Sequence, residues 1–244
     1  MQKMKLDLLI ISLAPTIAIL IWIYIKDKYD KEPIKVLIRL FFIGTLISIP
    51  AIAIEDILLK AKIDNSHLNL IYTAFVVAAA TEEILKIMIL IPYTLRSRHY
   101  TEKLDGIVYS IFTTLGFATI ENLIYIFHGN QLNLLQIGLA RAVISIPAHV
   151  LFAINMGYYL SMYKFNLDKP KVRKVFLAKL ILIPIALHGV FDILAMIKTT
   201  GASICFVIYL IYLWKISLDK LDEYTDYARR RFLRLKKKKH KHKK

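Results

Sequence analysis

Apolar residues in this chain fall in long uninterrupted blocks rather than in the stripe of an amphipathic helix. A block of about 20 such residues is long enough to cross the hydrocarbon of a bilayer as a helix. Seven blocks are predicted as spans, at residues 6–25, 35–59, 68–95, 104–127, 133–163, 175–197 and 201–218. The fifth is longer than one crossing needs, so a tilt, a kink at Pro147 or a projection from the bilayer is expected. Only Lys198-Thr199-Thr200-Gly201 separates the last two, which predicts a helical hairpin. No internal repeat is seen. The fold class is therefore all-α: a polytopic transmembrane helix bundle of about seven spans, residues 1–218, followed by a basic tail, residues 219–244.

Composition agrees. Hydrophobic residues make up 57% of the chain, above the roughly 45–50% of soluble domains. The net charge is +16, and the basic residues flank the spans, which fits a membrane surface and argues against nucleic acid. One side receives Lys26, Lys28, Lys31 and Lys35, then Arg96, Arg98 and Lys103, then Lys164, Lys169, Lys171, Arg173 and Lys174, then the tail. The other receives few basic residues and none in His128-Gly129-Asn130-Gln131. The expected orientation has the N-terminus outside, the C-terminus cytoplasmic and the His128–Gln131 loop outward, in the cell membrane. The apolar run from Leu6 to Ile25 lacks an A-x-A site and ends in Lys26-Asp27-Lys28, so it is read as a span and not as a cleaved signal. Arg229-Arg230-Arg231 and residues 236–244 are too charged to pack; anionic lipid is their expected partner. Trp22, Tyr24, Tyr72, Tyr93 and Trp214 form an interfacial belt. The single cysteine, Cys205, is read as a small core residue.

Candidate chemistry comes from ionisable residues inside the blocks, where each costs about 2.5–3.5 kcal/mol on insertion scales. The third block reads Ala80-Thr81-Glu82-Glu83-Ile84-Leu85-Lys86. Helical spacing puts Glu82 and Glu83 on a face with Lys86. An ion pair within the helix accounts for one glutamate and the lysine but leaves the second carboxylate over. Adjacent carboxylates in low dielectric are a way to separate an acid from a base. The fourth block carries Glu121 beside Asn122, a possible helix-packing hydrogen-bond pair. The fifth holds Arg141, which can snorkel or pair with Glu121, and His149, which alone reads equally well as a satisfied core histidine. The sixth has His188 and Asp192 one turn apart, a spacing at which a carboxylate orients an imidazole. Depth along the helices allows one outward-opening cavity to hold all of these groups.

Together these segments resemble the PrsW family of intramembrane proteases, itself similar to the type II C-a-a-X prenyl proteases and bacteriocin-processing proteins. The resemblance rests on Glu82-Glu83 with Lys86, Phe117 with Glu121 and Asn122, His149, and His188 with Asp192, in order across residues 25–195, and on the early loop Asp30-Lys31-Glu32-Pro33. It implies peptide-bond hydrolysis in a membrane-bound substrate, and by family a first cut, on the outer side, in a single-span anti-sigma factor. Residues 1–218 would then be a protease domain. Glu82 or Glu83 would take a proton from water, with His149 holding the water and His188 with Asp192 on the oxyanion side. Asp192 stands where the prenyl-protease branch has asparagine, and Glu121 where it has histidine. Arg141, Lys86, Phe117 and Asn122 would support the site. Zinc is an alternative, since two histidines with glutamates offer N and O ligands. With no H-E-x-x-H and a carboxylate-rich set, no cofactor is the favoured expectation. Buried Glu, His and Asp also mark proton relays. A proton-coupled transporter and a catalytically silent membrane partner are the competing readings; the first lacks the repeats and broken helix pairs of transporters.

Overall fold

Each apolar block becomes a helix, because a chain in hydrocarbon must satisfy every backbone N–H and C=O within itself. The computed structural model describes residues 2–61, 63–128 and 134–241, and these contain helices and no strand. The order is α1 (Gln2–Lys26), α2 (Ile34–Leu58), α3 (Ser66–Tyr72), α4 (Thr81–Arg96), α5 (Lys103–His128), α6 (Leu134–Ala140), α7 (Ile146–Lys164), α8 (Pro170–Met196) and α9 (Thr200–Lys241). A π-helical stretch, Thr73–Ala80, joins α3 to α4, and another, Arg141–Ser145, joins α6 to α7. Those two pairs each run as one rod, so the nine helices form seven long helical segments. Six of the seven are long and apolar enough to cross a membrane. The other, residues 66–96, carries Glu82, Glu83 and Lys86 in its middle.

Local chemistry sets the ends. The Asn65 side chain accepts from the backbone N–H groups of His67 and Leu68, both at 3.0 Å, and so caps α3. Pro170 occupies the first turn of α8, where a missing N–H costs nothing. A π-helical stretch, Arg141–Ser145, stands directly before Ile146 and Pro147. The outward loop expected at His128–Gln131 falls largely on residues 129–133, which lie outside the described residues.

α5 is the central helix. Its Leu104, Ile107, Val108, Ile111, Leu115 and Ala118 are buried, and α1, α2 and α7 pack around it. The outer faces of α1, α2 and α9 expose Ile17, Ile21, Phe42, Leu46, Val207 and Ile211, as lipid-facing surfaces do. Cys205, expected in the core, is exposed on α9: its block is apolar all round, and only one side of the helix meets protein. α9 continues without a break past residue 218. Leu221, Tyr224 and Ala228 are buried there, with the Tyr224 ring stacked on Tyr158 at 4.6 Å. Arg229 and Arg230 are exposed, as their charge requires, and Arg231 is half-buried.

α2 crosses α5 at very close range. A Cβ on Gly44 would run into the carbonyl oxygen of Thr113, and one on Gly116 into that of Phe41. Small residues at such crossings let backbones approach where no hydrophobic force drives association. Gly116→Val is expected to lower the thermal unfolding midpoint of the detergent-solubilised protein by about 5 °C or more, since the obstacle is backbone and cannot swing aside. A midpoint within a degree of the parent would mean the helices do not meet there.

Candidate active site

Five of the seven rods bring ionisable residues to one place. Glu82 and Glu83 open α4 straight after the first π-helical stretch, and His149 lies in the first turn of α7 after the second. Such stretches, which redirect side chains locally, are frequent at functional sites. Lys86 is fully buried; its Nζ donates to Glu82 Oε2 at 3.0 Å and to Glu83 Oε1 at 2.8 Å. The same Nζ sits 4.4 Å over the Phe117 ring of α5, which gives Phe117 a cation–π role.

The histidines are held across helices. His188 Nδ1 is 3.0 Å from Glu83 Oε1, and its Nε2 is 3.5 Å from Asp192 Oδ2 one turn on. Gly189 makes the first contact possible, because a Cβ there would strike the Phe75 ring of the π-helical stretch and push α8 away. The Phe152 ring stacks on His188 at 4.8 Å. On the other side, His149 Nε2 is 2.9 Å from Glu121 Oε2, and Arg141 donates to Glu121 Oε1 at 2.9 Å. Arg141 also donates to Asn122 Oδ1 at 2.8 Å, while Asn122 Nδ2 donates to the Ser12 carbonyl of α1 at 3.0 Å. Asn122 therefore ties α1 and the Arg141 guanidinium to α5. The two imidazoles meet edge to face with centroids 5.5 Å apart.

A cavity of about 430 Å³ lies over these groups. Glu82, Glu121, Arg141, His149, His188 and Asp192 line it, and Phe117 contributes its ring. Glu83 does not reach it: Glu83 is fully buried behind Glu82, holding Lys86 and His188. The adjacent glutamates thus occupy different positions, one facing the cavity and one supporting it. Several carboxylates, two imidazoles and a guanidinium around one cavity make an arrangement suited to acid–base hydrolysis.

Two residues at the cavity were not singled out from the sequence. Glu55 and Asp56 of α2 line its rim. Their only signal was a pair of carboxylates in the last turn of an apolar block, which reads as an ordinary span end.

The donor set also bears on metal. Glu82, Glu121 and His149 can each place a ligand atom within 4.8 Å of the others, and so can Glu82, Glu83 and His188. The second triangle does not suit a metal ion, because the Lys86 ammonium already bonds both of its carboxylates. The first does: it offers two carboxylates and an imidazole, the N and O donors zinc accepts, and His149 Nδ1 is buried without a hydrogen-bond partner.

A family model described as PrsW family intramembrane metalloprotease matches residues 32–216. Protease PrsW of Clostridioides difficile (strain 630) is 50% identical over 239 residues, covering 97% of this chain and 100% of that protein. Protease PrsW of Geobacillus kaustophilus (strain HTA426) is 33% identical over 218 residues, covering 89% and 92%. Protease PrsW of Bacillus subtilis (strain 168) is 32% identical over 211 residues, covering 86% and 91%. No solved structure matches the chain.

Proposed function

The chain belongs to the PrsW family of intramembrane proteases, a multi-pass membrane protein, and on that footing we propose that it hydrolyses a peptide bond in a single-span membrane protein by glutamate-activated water. The substrate is of the anti-sigma-factor type, cut first near the outer face of the cell membrane. The observation that carries the mechanism is the division of labour between the paired glutamates: Glu82 lines the cavity and Glu83 does not.

In this reading Glu82 takes the proton of a water in the cavity as that water attacks the scissile carbonyl. Lys86, 3.0 Å away, balances the charge of Glu82 in a site where bulk water cannot. His149, anchored on Glu121, faces the water from α7. His188, fixed by Glu83 and Asp192, stands on the side where the oxyanion forms, and Glu82 returns the proton it took to the leaving amine as the C–N bond breaks. Asp192 acts through His188, since an anion beside an oxyanion would oppose the reaction. Arg141 holds Glu121. The Glu82, Glu121 and His149 triangle is where a zinc-class ion would be held; bound there it would polarise the carbonyl and acidify a coordinated water. The exposed Arg229 and Arg230 and the basic end of α9 lie on anionic headgroups.

The test is co-reconstitution with candidate single-span substrates in liposomes, with cleavage sites read by mass spectrometry. One site-specific cut, absent in a Glu82→Gln preparation, is expected. Cleavage that survives a strong chelator supports the metal-free reaction, and cleavage lost with chelator and restored by zinc assigns the triangle to metal. Proton or solute flux with no cleavage would sink the protease reading for this chain and favour a transporter.

A further inference from the structure

At the opposite end of α5 from Glu121, about 24 Å along the helix, a second cluster of carboxylates is closed off from solvent. Asp27 follows α1, Glu102 precedes α5 and Asp105 lies in its first turn; none is more than 2% exposed. The three can each place an oxygen within 4.8 Å of the others. One oxygen of each is engaged. Asp27 Oδ2 accepts from the Glu32 N–H, Asp105 Oδ2 from the N–H groups of Thr101 and Glu102, and Glu102 Oε2 lies 3.4 Å from the Arg231 guanidinium. The second oxygen of each, Asp27 Oδ1, Asp105 Oδ1 and Glu102 Oε1, is buried with no hydrogen-bond partner.

Charge around the cluster is unbalanced. Glu32, itself buried, accepts from the Tyr109 hydroxyl at 2.8 Å, and Asp30 stands nearby on the surface. The cations at hand are Arg231, which is shared between Asp30 and Glu102, Lys164, whose ammonium is spent on the carbonyls of Thr94 and Tyr100, and Lys31, whose ammonium lies over the Tyr24 ring. Among the described residues Asp27, Glu32 and Asp105 have no ion-pair partner.

We propose that Asp27, Glu102 and Asp105 form a binding site for a hard divalent cation of the calcium or magnesium class, separate from the intramembrane site. Three buried carboxylates that bring oxygens within 4.8 Å of one another, each with one oxygen left unpartnered, are the ligand chemistry such ions take, and no soft or nitrogen donor is among them. The ligands come from the end of α1 and the start of α5, and Arg231 of α9 touches one of them. A bound ion would clamp the end of the first transmembrane helix to the start of the central one. The site does not depend on the reading of the protease chemistry.

The experiment uses the full-length, detergent-solubilised protein stripped of metal. Terbium(III) serves as the probe, because Tyr100 and Tyr109 are close enough to the cluster to sensitise its emission. Sensitised emission that calcium or magnesium displaces is expected, together with a rise in unfolding midpoint on the order of 5 °C at saturating cation. Both should be lost in Asp105→Asn and in Asp27→Asn, two variants so that poor folding of one leaves the other to decide. Both should persist in Glu121→Gln, whose change lies in the other cluster. No displaceable emission, emission unchanged in the cluster variants, or stabilisation by acid alone with none by cation would overturn the proposal.

Discussion

Glu82→Gln is expected to lower the rate of substrate cleavage by about 10³-fold, within the range a positioned general base contributes, and to leave the protein folded. Glutamine keeps the volume and can still accept a hydrogen bond from Lys86, but it cannot take a proton. Glu83→Gln is expected to act differently. Glu83 has no surface on the cavity, and its Oε1 holds both Lys86 and the Nδ1 of His188. Its loss frees the ring that faces the substrate, so turnover should fall less steeply and its pH profile should change shape. Single-turnover cleavage across pH for both variants separates the two roles. Equal losses with unchanged pH profiles would mean that the glutamates act as one unit, and full activity in Glu82→Gln would end the carboxylate mechanism.

The second large effect is on stability. Lys86→Met is expected to cost about 3–5 kcal/mol, the usual penalty for removing one partner of a buried charge cluster. Lys86 is completely enclosed, and without it two adjacent carboxylates share a dry site. The unfolding midpoint in detergent should fall by roughly 10 °C. The triple variant Lys86→Met/Glu82→Gln/Glu83→Gln should recover most of that loss, because it removes the stranded charges as well. A single variant as stable as the parent, or a triple variant as unstable as the single, would show that the lysine does not neutralise the pair.

What the sequence disclosed follows from helical geometry. Contacts between residues one turn apart could be read directly: Lys86 with Glu82 and Glu83, and His188 with Asp192. The spans were legible because the bilayer imposes their length. Partners on different helices were harder. The Arg141–Glu121 pair was named as one option because a buried cation needs an anion at similar depth. That His149 turns to Glu121, and His188 to Glu83, depends on helix rotation and on the close approach at Gly189, which hydropathy does not encode. Glu55 and Asp56 stand at a block end, where carboxylates are ordinarily solvated, and only the fold shows that the cavity reaches them. The buried carboxylates at the far end of α5 were equally hidden. Asp27 and Glu102 stand beside lysines in loops that read as solvated, Asp105 stands at the very start of the fourth block, and only the fold shows them enclosed together.

The glycine crossing of α2 on α5 has a consequence for how a substrate reaches the cavity. A transmembrane peptide must pass between two helices from the lipid, and a seam that opens needs side chains that can swing away. At Gly44 and Gly116 only backbone faces backbone, so nothing is there to swing. α5 and α7 close the cavity from behind with buried aliphatic and aromatic side chains. α2 and α8 both line the cavity, through Ile52 and Glu55 on one and Asp192, Ala195 and Met196 on the other, yet each packs chiefly on other helices. The α2–α5 seam is thereby closed to lateral entry, and a substrate of the proposed kind would have to reach Glu82 from another side of the cavity.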